Sequence, residues 1–159
     1  MDEAQRQLAA ALGRVPSGLF VLTARRGEAE TGMLTSWVQQ CSFEPPLLTV
    51  AIRKERPVAR WLTTSAEFTL NILDHTQTDM VAHFGRGFDL GQPAFEGLEV
   101  TRPEDAAPVL QEAVAYLVCR VVGHHPTGDH DLFLGQVIGG QVLGEGPPMV
   151  HIRKSGAHY

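Results

Sequence analysis

Two long strand patterns, Ala113 to His124 (AVAYLVCRVVGH) and Leu132 to Leu143 (LFLGQVIGGQVL), lie on either side of Pro126-Thr127-Gly128-Asp129. Proline, glycine and aspartate there are turn formers, so the pair reads as a long antiparallel hairpin. Upstream the same grammar recurs. Ser17 to Ala24 and Thr31 to Phe43 are β-rich stretches around a charged turn, Arg25 to Glu30, that contains Gly27. The Glu44-Pro45-Pro46 loop then breaks the chain before Leu47 to Arg53 (LLTVAIR), an almost continuously apolar strand expected to be covered on both faces. Glu67 to Leu73 alternates as a further strand, and a last one, Met149 to Arg153, follows a Gly-Pro-Pro corner. No βαβ repeat exists, which removes parallel doubly wound sheets and any nicotinamide site built on one.

Helices are few. Asp2 to Leu12 is a short amphipathic helix stopped by Gly13; Pro57 starts a second (PVARWLTTS); Asp74 caps a third running to about Phe84. Gly85 to Gly97, with four glycines and Pro93, reads as a mobile loop. About six strands with two helices inserted among them predict a mainly β, closed or nearly closed antiparallel barrel with peripheral helices. With 43% hydrophobic and 19% charged residues, the chain reads as a single domain over residues 1–159.

Charge narrows the partners. Thirteen Lys plus Arg against 18 Asp plus Glu leave −5, which gives no long-range pull toward nucleic acid or anionic lipid, so any polyanion site must be local. No apolar run is long enough to cross a bilayer, and Asp2 and Glu3 are unlike the basic start of a signal peptide; the expected location is cytoplasmic. Cys41 and Cys119 read as free thiols.

One place stands out as a local polyanion site: Arg53-Lys54-Glu55-Arg56, three cations between an apolar strand and a Pro-initiated helix, a combination suited to a phosphate. Such a knot on its own is more often a solvated turn. Thr35, Ser36 and Ser42 on the preceding hairpin strand would add neutral donors, and Trp37 a flat apolar wall, although a core or dimer-contact tryptophan is the commoner outcome. His75, Asp79 and His83 recur at four-residue steps, but His75 and His83 stand about 12 Å apart along a helix, too far for one ion, and a solvated face accounts for them. His130, between Asp129 and Asp131, is a histidine whose proton affinity two carboxylates could raise. Neither a Ser-His-Asp spacing nor a CxxC pattern occurs, and Gly85, Gly87 and Gly91 follow a helix rather than a strand, so they are no dinucleotide fingerprint.

The block Gly32 to Leu73, with GDHDLFLGQV (Gly128 to Val137) and the terminal HIRKSGAHY (His151 to Tyr159), strongly resembles the flavin reductase-like family, whose members bind FMN in a split β-barrel. It is similar to the flavin reductase domain at the C-terminus of some flavodiiron proteins, whose metallo-β-lactamase-like and flavodoxin modules have no counterpart in these 159 residues. The resemblance implies a homodimer of split barrels, each with one FMN, or FAD, near the subunit interface. By matching motif, Thr35, Ser36 and Trp37 run beside the ribityl chain and ring, Ser42, Lys54 and Arg56 face the phosphate, and Ala51, Ile52 and Arg53 offer backbone. Phe84 closes the pocket, His130 matches the histidine near nicotinamide and flavin, and His158 in the tail joins it; longer tails of other members are missing after Tyr159. No metal is implied. The implied activity is electron transfer from NADH or NADPH to flavin and on to an oxygenase or other acceptor. The alternatives are a flavoredoxin-like FMN carrier that takes electrons from a protein and a non-catalytic flavin- or haem-binding module.

Overall fold

The computed structural model describes residues 1–63 and 67–158. Helix α1 (Glu3–Gly13) is started by a capping box in which Asp2 and Gln5 exchange hydrogen bonds. Short β1 (Ser17–Gly18) leads into β2 (Phe20–Arg26), which turns at Gly27 (φ 61°) into β3 (Ala29–Thr35). Then come β4 (Val38–Ser42), β5 (Leu47–Arg53), α2 (Pro57–Leu62), β6 (Glu67–Ile72) and α3 (Thr78–Gly85). The chain ends with the small pair β7 (Val100–Thr101) and β8 (Val109–Leu110), the long hairpin β9 (Ala115–Pro126) and β10 (His130–Val142), and β11 (Val150–His151) on β1.

Seven strands form one antiparallel sheet in the order β3-β2-β6-β9-β10-β5-β4. Its two edges, β3 and β4, are consecutive in the chain and are joined only by Ser36 and Trp37. Six strand spacings of a flat sheet would separate the edges by about 29 Å. Three peptide units span at most about 11 Å. The sheet must therefore roll up until its edges meet at that corner, and because β3 and β4 do not hydrogen-bond to each other the barrel is split there.

Several expectations change in detail. Thr31 to Phe43 is not one strand: it breaks at Ser36–Trp37 and serves both edges. In β5, Leu48, Val50 and Ile52 are buried, but Leu47, Thr49 and Ala51 are only half-buried, so the strand is covered on one face. Asp74 does not cap α3; its carboxylate accepts from the Thr76 backbone and hydroxyl, and Gln77, three residues later, is the cap residue. The last strand shortens to β11. Thr64 and Ser65 of the expected second helix, and Tyr159, lie outside the described residues.

The barrel interior is filled by Leu22, Val50, Ile52, Phe68, Leu70 and Phe133, with Trp61 and Leu62 of α2 closing one end. Cys119 sits in this cluster, its thiol pushed up to about 12 by burial, and acts as apolar filling. A second cluster lies under α3, where Phe84 meets Leu73, Met80 and Phe95. Past the end of α3, residues 86–97 carry no regular element, yet Ala94 and Phe95 are buried and His83 Nε2 lies 2.7 Å from the Ala94 carbonyl, which pins the segment to α3.

Candidate functional site

A cavity of about 550 Å³ opens at the corner that splits the barrel. Its floor is the end of β3 and the following corner (Met33 to Ser36) with Ala51, Ile52 and Arg53 of β5. His130, at the start of β10, stands directly opposite Arg53 in the sheet register. Val81, Phe84 and Gly85 of α3 supply an apolar side, and Arg56 adds a cation at the turn before α2. The opposite wall is the C-terminal segment, with His151 to Ser155 and His158.

Of the residues expected at a site, the structure brings Thr35, Ser36, Ala51, Ile52, Arg53, Arg56, Phe84, His130 and His158 to this one cavity. Three others lie elsewhere. Ser42 pairs with Leu47 at the far end of β4 and does not line it. Lys54 turns to the β9–β10 hairpin, where Nζ donates to the Thr127 and Gly128 carbonyls at 2.9 and 2.7 Å. Trp37 lines a neighbouring cavity of about 280 Å³, while its ring packs 4.7 Å from His130 and under the Arg153 guanidinium at 5.0 Å. It thus braces two residues of the larger cavity from behind.

Polar groups at the site are sorted by strand geometry. His130 is 7% exposed, and its Nδ1 lies 2.7 Å from Asp129 Oδ1. That bond holds the Asp129 carboxyl below the usual aspartate range. Asp131, the second carboxylate expected at His130, pairs instead with His124 at 3.4 Å, since alternate residues of a strand face opposite ways. Engagement of Nδ1 by Asp129 leaves Nε2 as the only other polar atom of the His130 ring. Arg53 Nε meets Glu55 at 3.2 Å, whereas Arg56 has no ion pair among the described residues.

Ser36 tests whether a ligand belongs here. It is 3% exposed, yet its Oγ has no hydrogen-bond partner among the described residues. A buried hydroxyl without a protein partner costs stability unless something polar meets it. Beside a cavity rimmed by Arg53, Arg56, Arg153 and Lys154, an anionic, hydroxyl-rich ligand would satisfy it, and the phosphoribityl chain of a flavin fits that description.

The tail residues Arg153, Lys154 and Ser155 and the apolar lining Met33, Leu34 and Val81 were not legible as site residues. HIRKSG carries no periodicity, and only the family-like match of the terminal block pointed to it. Among the described residues no cluster of three or more metal-ligating side chains occurs, and no helix is long and apolar enough to cross a membrane.

Comparison with known proteins agrees with this geometry. A family model described as a flavin reductase like domain matches residues 12–157. The putative diflavin flavoprotein A 6 of Nostoc sp. (strain PCC 7120) is 42% identical over 151 residues, covering 94% of this chain and 26% of that protein. Diflavin flavoprotein A 1 of Synechocystis sp. (strain PCC 6803) is 38% identical over the same length, again 94% of this chain and 26% of the relative. The chain therefore spans about a quarter (26%) of the length of the curated relatives it matches. Among solved structures, the NADH:FAD oxidoreductase of Streptomyces globisporus C-1027 superposes with a TM-score of 0.85 at 28% identity, covering 96% of this chain and 91% of that one. The same enzyme in complex with NAD and FAD fragments gives 0.82 at 27% identity, with the same coverage.

Proposed function

This chain belongs to the flavin reductase-like family, and from that premise we propose that it is an NAD(P)H-dependent flavin reductase holding FMN, or FAD, in the cavity at the split of the barrel. The observation that carries the reading is the unpartnered, buried Ser36 hydroxyl beside a cavity that gathers four cations and His130.

Bound flavin supplies the redox chemistry, taking up an electron pair and returning it singly or in pairs. The chain's own residues orient and exclude. Arg53 and Arg56 hold the phosphate by charge-assisted bonds, and the hydroxyls of Thr35 and Ser36 serve the ribityl side. Ala51, Ile52 and Arg53 line the cavity where the ring would lie, and the Arg53 cation there would favour negative charge on a bound flavin. Phe84, Leu34 and Met33 keep water from that face. His130, fixed by Asp129 and backed by Trp37, positions the nicotinamide and does not act as an acid; His158 joins it from the tail.

We further propose a cytoplasmic homodimer that delivers electrons to an oxygenase or another acceptor. The likeness to the NADH:FAD oxidoreductase of Streptomyces globisporus C-1027 supports reductase chemistry. Anaerobic mixing of the flavin-loaded protein with NADH, then NADPH, tests the reading. Bleaching of the flavin band by either supports it. A flavin that neither nicotinamide bleaches, but that a reduced donor protein does, would make the chain an electron carrier, and a Soret band would replace flavin by haem.

A further inference from the structure

Helix α1 buries only Ala9 and Gly13, while Leu8 and Leu12 remain largely exposed, so it has little seat of its own on the barrel. What covers its C-terminal turn is the segment that follows β11. A Cβ added at Gly13 would lie 2.7 Å from the Arg153 carbonyl oxygen and 3.0 Å from the Ser155 nitrogen. One added at Gly156 would collide with Leu12. Between the two glycines the Gly156 amide donates to the Ala9 carbonyl at 2.6 Å. Two backbones thus cross in contact where any side chain would hold them apart, as glycines at close approaches allow. The segment pinned by that crossing presents Arg153, Lys154, Ser155 and His158 to the cavity, with the Arg153 guanidinium also resting on Trp37.

We propose that Gly13 and Gly156 are positioning residues for the flavin site: the crossing they permit between α1 and the C-terminal segment sets Arg153 and Lys154 as the cationic wall of the cavity. The proposal rests on the flavin reading for the identity of the ligand, but the crossing itself does not depend on it. Local propensity and the crossing make opposite demands at Gly13. The residue is helical with no positive φ, and alanine is the better helix former there. If α1 mattered only for its own stability, Gly13→Ala would be harmless or mildly stabilising. If the crossing sets the wall, the same change pushes the segment outward and loosens the site.

The test compares the unaltered full chain with Gly13→Ala, Gly156→Ala and, as a control at a half-buried glycine with only ordinary contact around it, Gly144→Ala. Trypsin, which cuts after Arg153 and Lys154, reads the segment directly, and an FMN fluorescence titration at low and high salt reads the wall. Both crossing variants are expected to be cut faster at those two sites and to bind FMN about tenfold more weakly, the loss of one charge-assisted bond. Their residual binding should depend less on salt, and the barrel's thermal midpoint should stay near that of the control. Crossing variants cut and bound like the control overturn the proposal, as does a loss of FMN matched only by global unfolding. Should the unaltered protein take up no FMN, the flavin reading falls, while the cleavage comparison still decides the crossing.

Discussion

Separating Lys54 from Arg56 is the sharpest use of the site geometry, because the two cations stand two positions apart and have different tasks. Lys54 spends Nζ on the Thr127 and Gly128 carbonyls and so ties the β5–α2 turn to the hairpin that carries His130. Arg56 lines the cavity and has no ion pair among the described residues. A charge-assisted bond to phosphate contributes about 1.5–3 kcal/mol, and a solvent-open rim takes the lower end. Arg56→Ala should therefore weaken FMN binding about tenfold and leave the thermal midpoint almost unchanged. The bonds from exposed Lys54 to two carbonyls contribute about 1 kcal/mol together after solvent screening. Lys54→Ala should accordingly lower the midpoint by about 2–4 °C and change FMN affinity less than about threefold. Fluorescence titration and thermal unfolding of the two single variants give both numbers. Equal loss of FMN in the two variants would refute the division, placing Lys54 on the phosphate after all.

Other expectations follow from named contacts. His130→Ala should slow reduction by nicotinamide in stopped flow while FMN stays bound; an unaltered rate removes the positioning role. The Asp129 carboxyl has a lower pKa folded than unfolded, so its contribution is complete above the ordinary aspartate range and fades as pH falls through the lowered folded value. The gap in thermal midpoint between the unaltered protein and Asp129→Asn should then shrink below about pH 4, and a gap independent of pH would contradict the His130–Asp129 bond as its source. Phe84 is 1% exposed among Phe88, Phe95 and Leu73, so Phe84→Ala should cost about 3–5 kcal/mol in denaturant unfolding as well as weakening FMN. A loss of binding with intact stability would mean that the ring serves the ligand alone.

The parts of this molecule that local pattern determines were legible from the residues. The β9–β10 hairpin announced itself through long apolar strands and a Pro-Thr-Gly-Asp turn, and the three cations after β5 were legible because strand, charge and Pro57 follow one another directly. Closure of the barrel was not. Residues 31–43 carry an unbroken β-rich pattern, and only the tertiary sheet order reveals that Ser36 and Trp37 send its halves to opposite edges. Lys54 and Asp131 show the same limit at the scale of side chains. Sequence places them beside the site, but hydrogen bonds to a turn 73 residues away and the alternation of a strand direct them elsewhere. The cationic wall of Arg153 and Lys154 depends on a crossing between the two ends of the chain, which no local signal encodes.

The most direct measurement is a crystal structure of the FMN-loaded protein. The account predicts the ring in the cavity between Phe84, Ala51 and His130, the phosphate on Arg53 and Arg56, and a new hydrogen bond to Ser36 Oγ. Density for FMN in the smaller cavity behind Trp37, or a Ser36 hydroxyl still unpartnered beside a bound ligand, would contradict it.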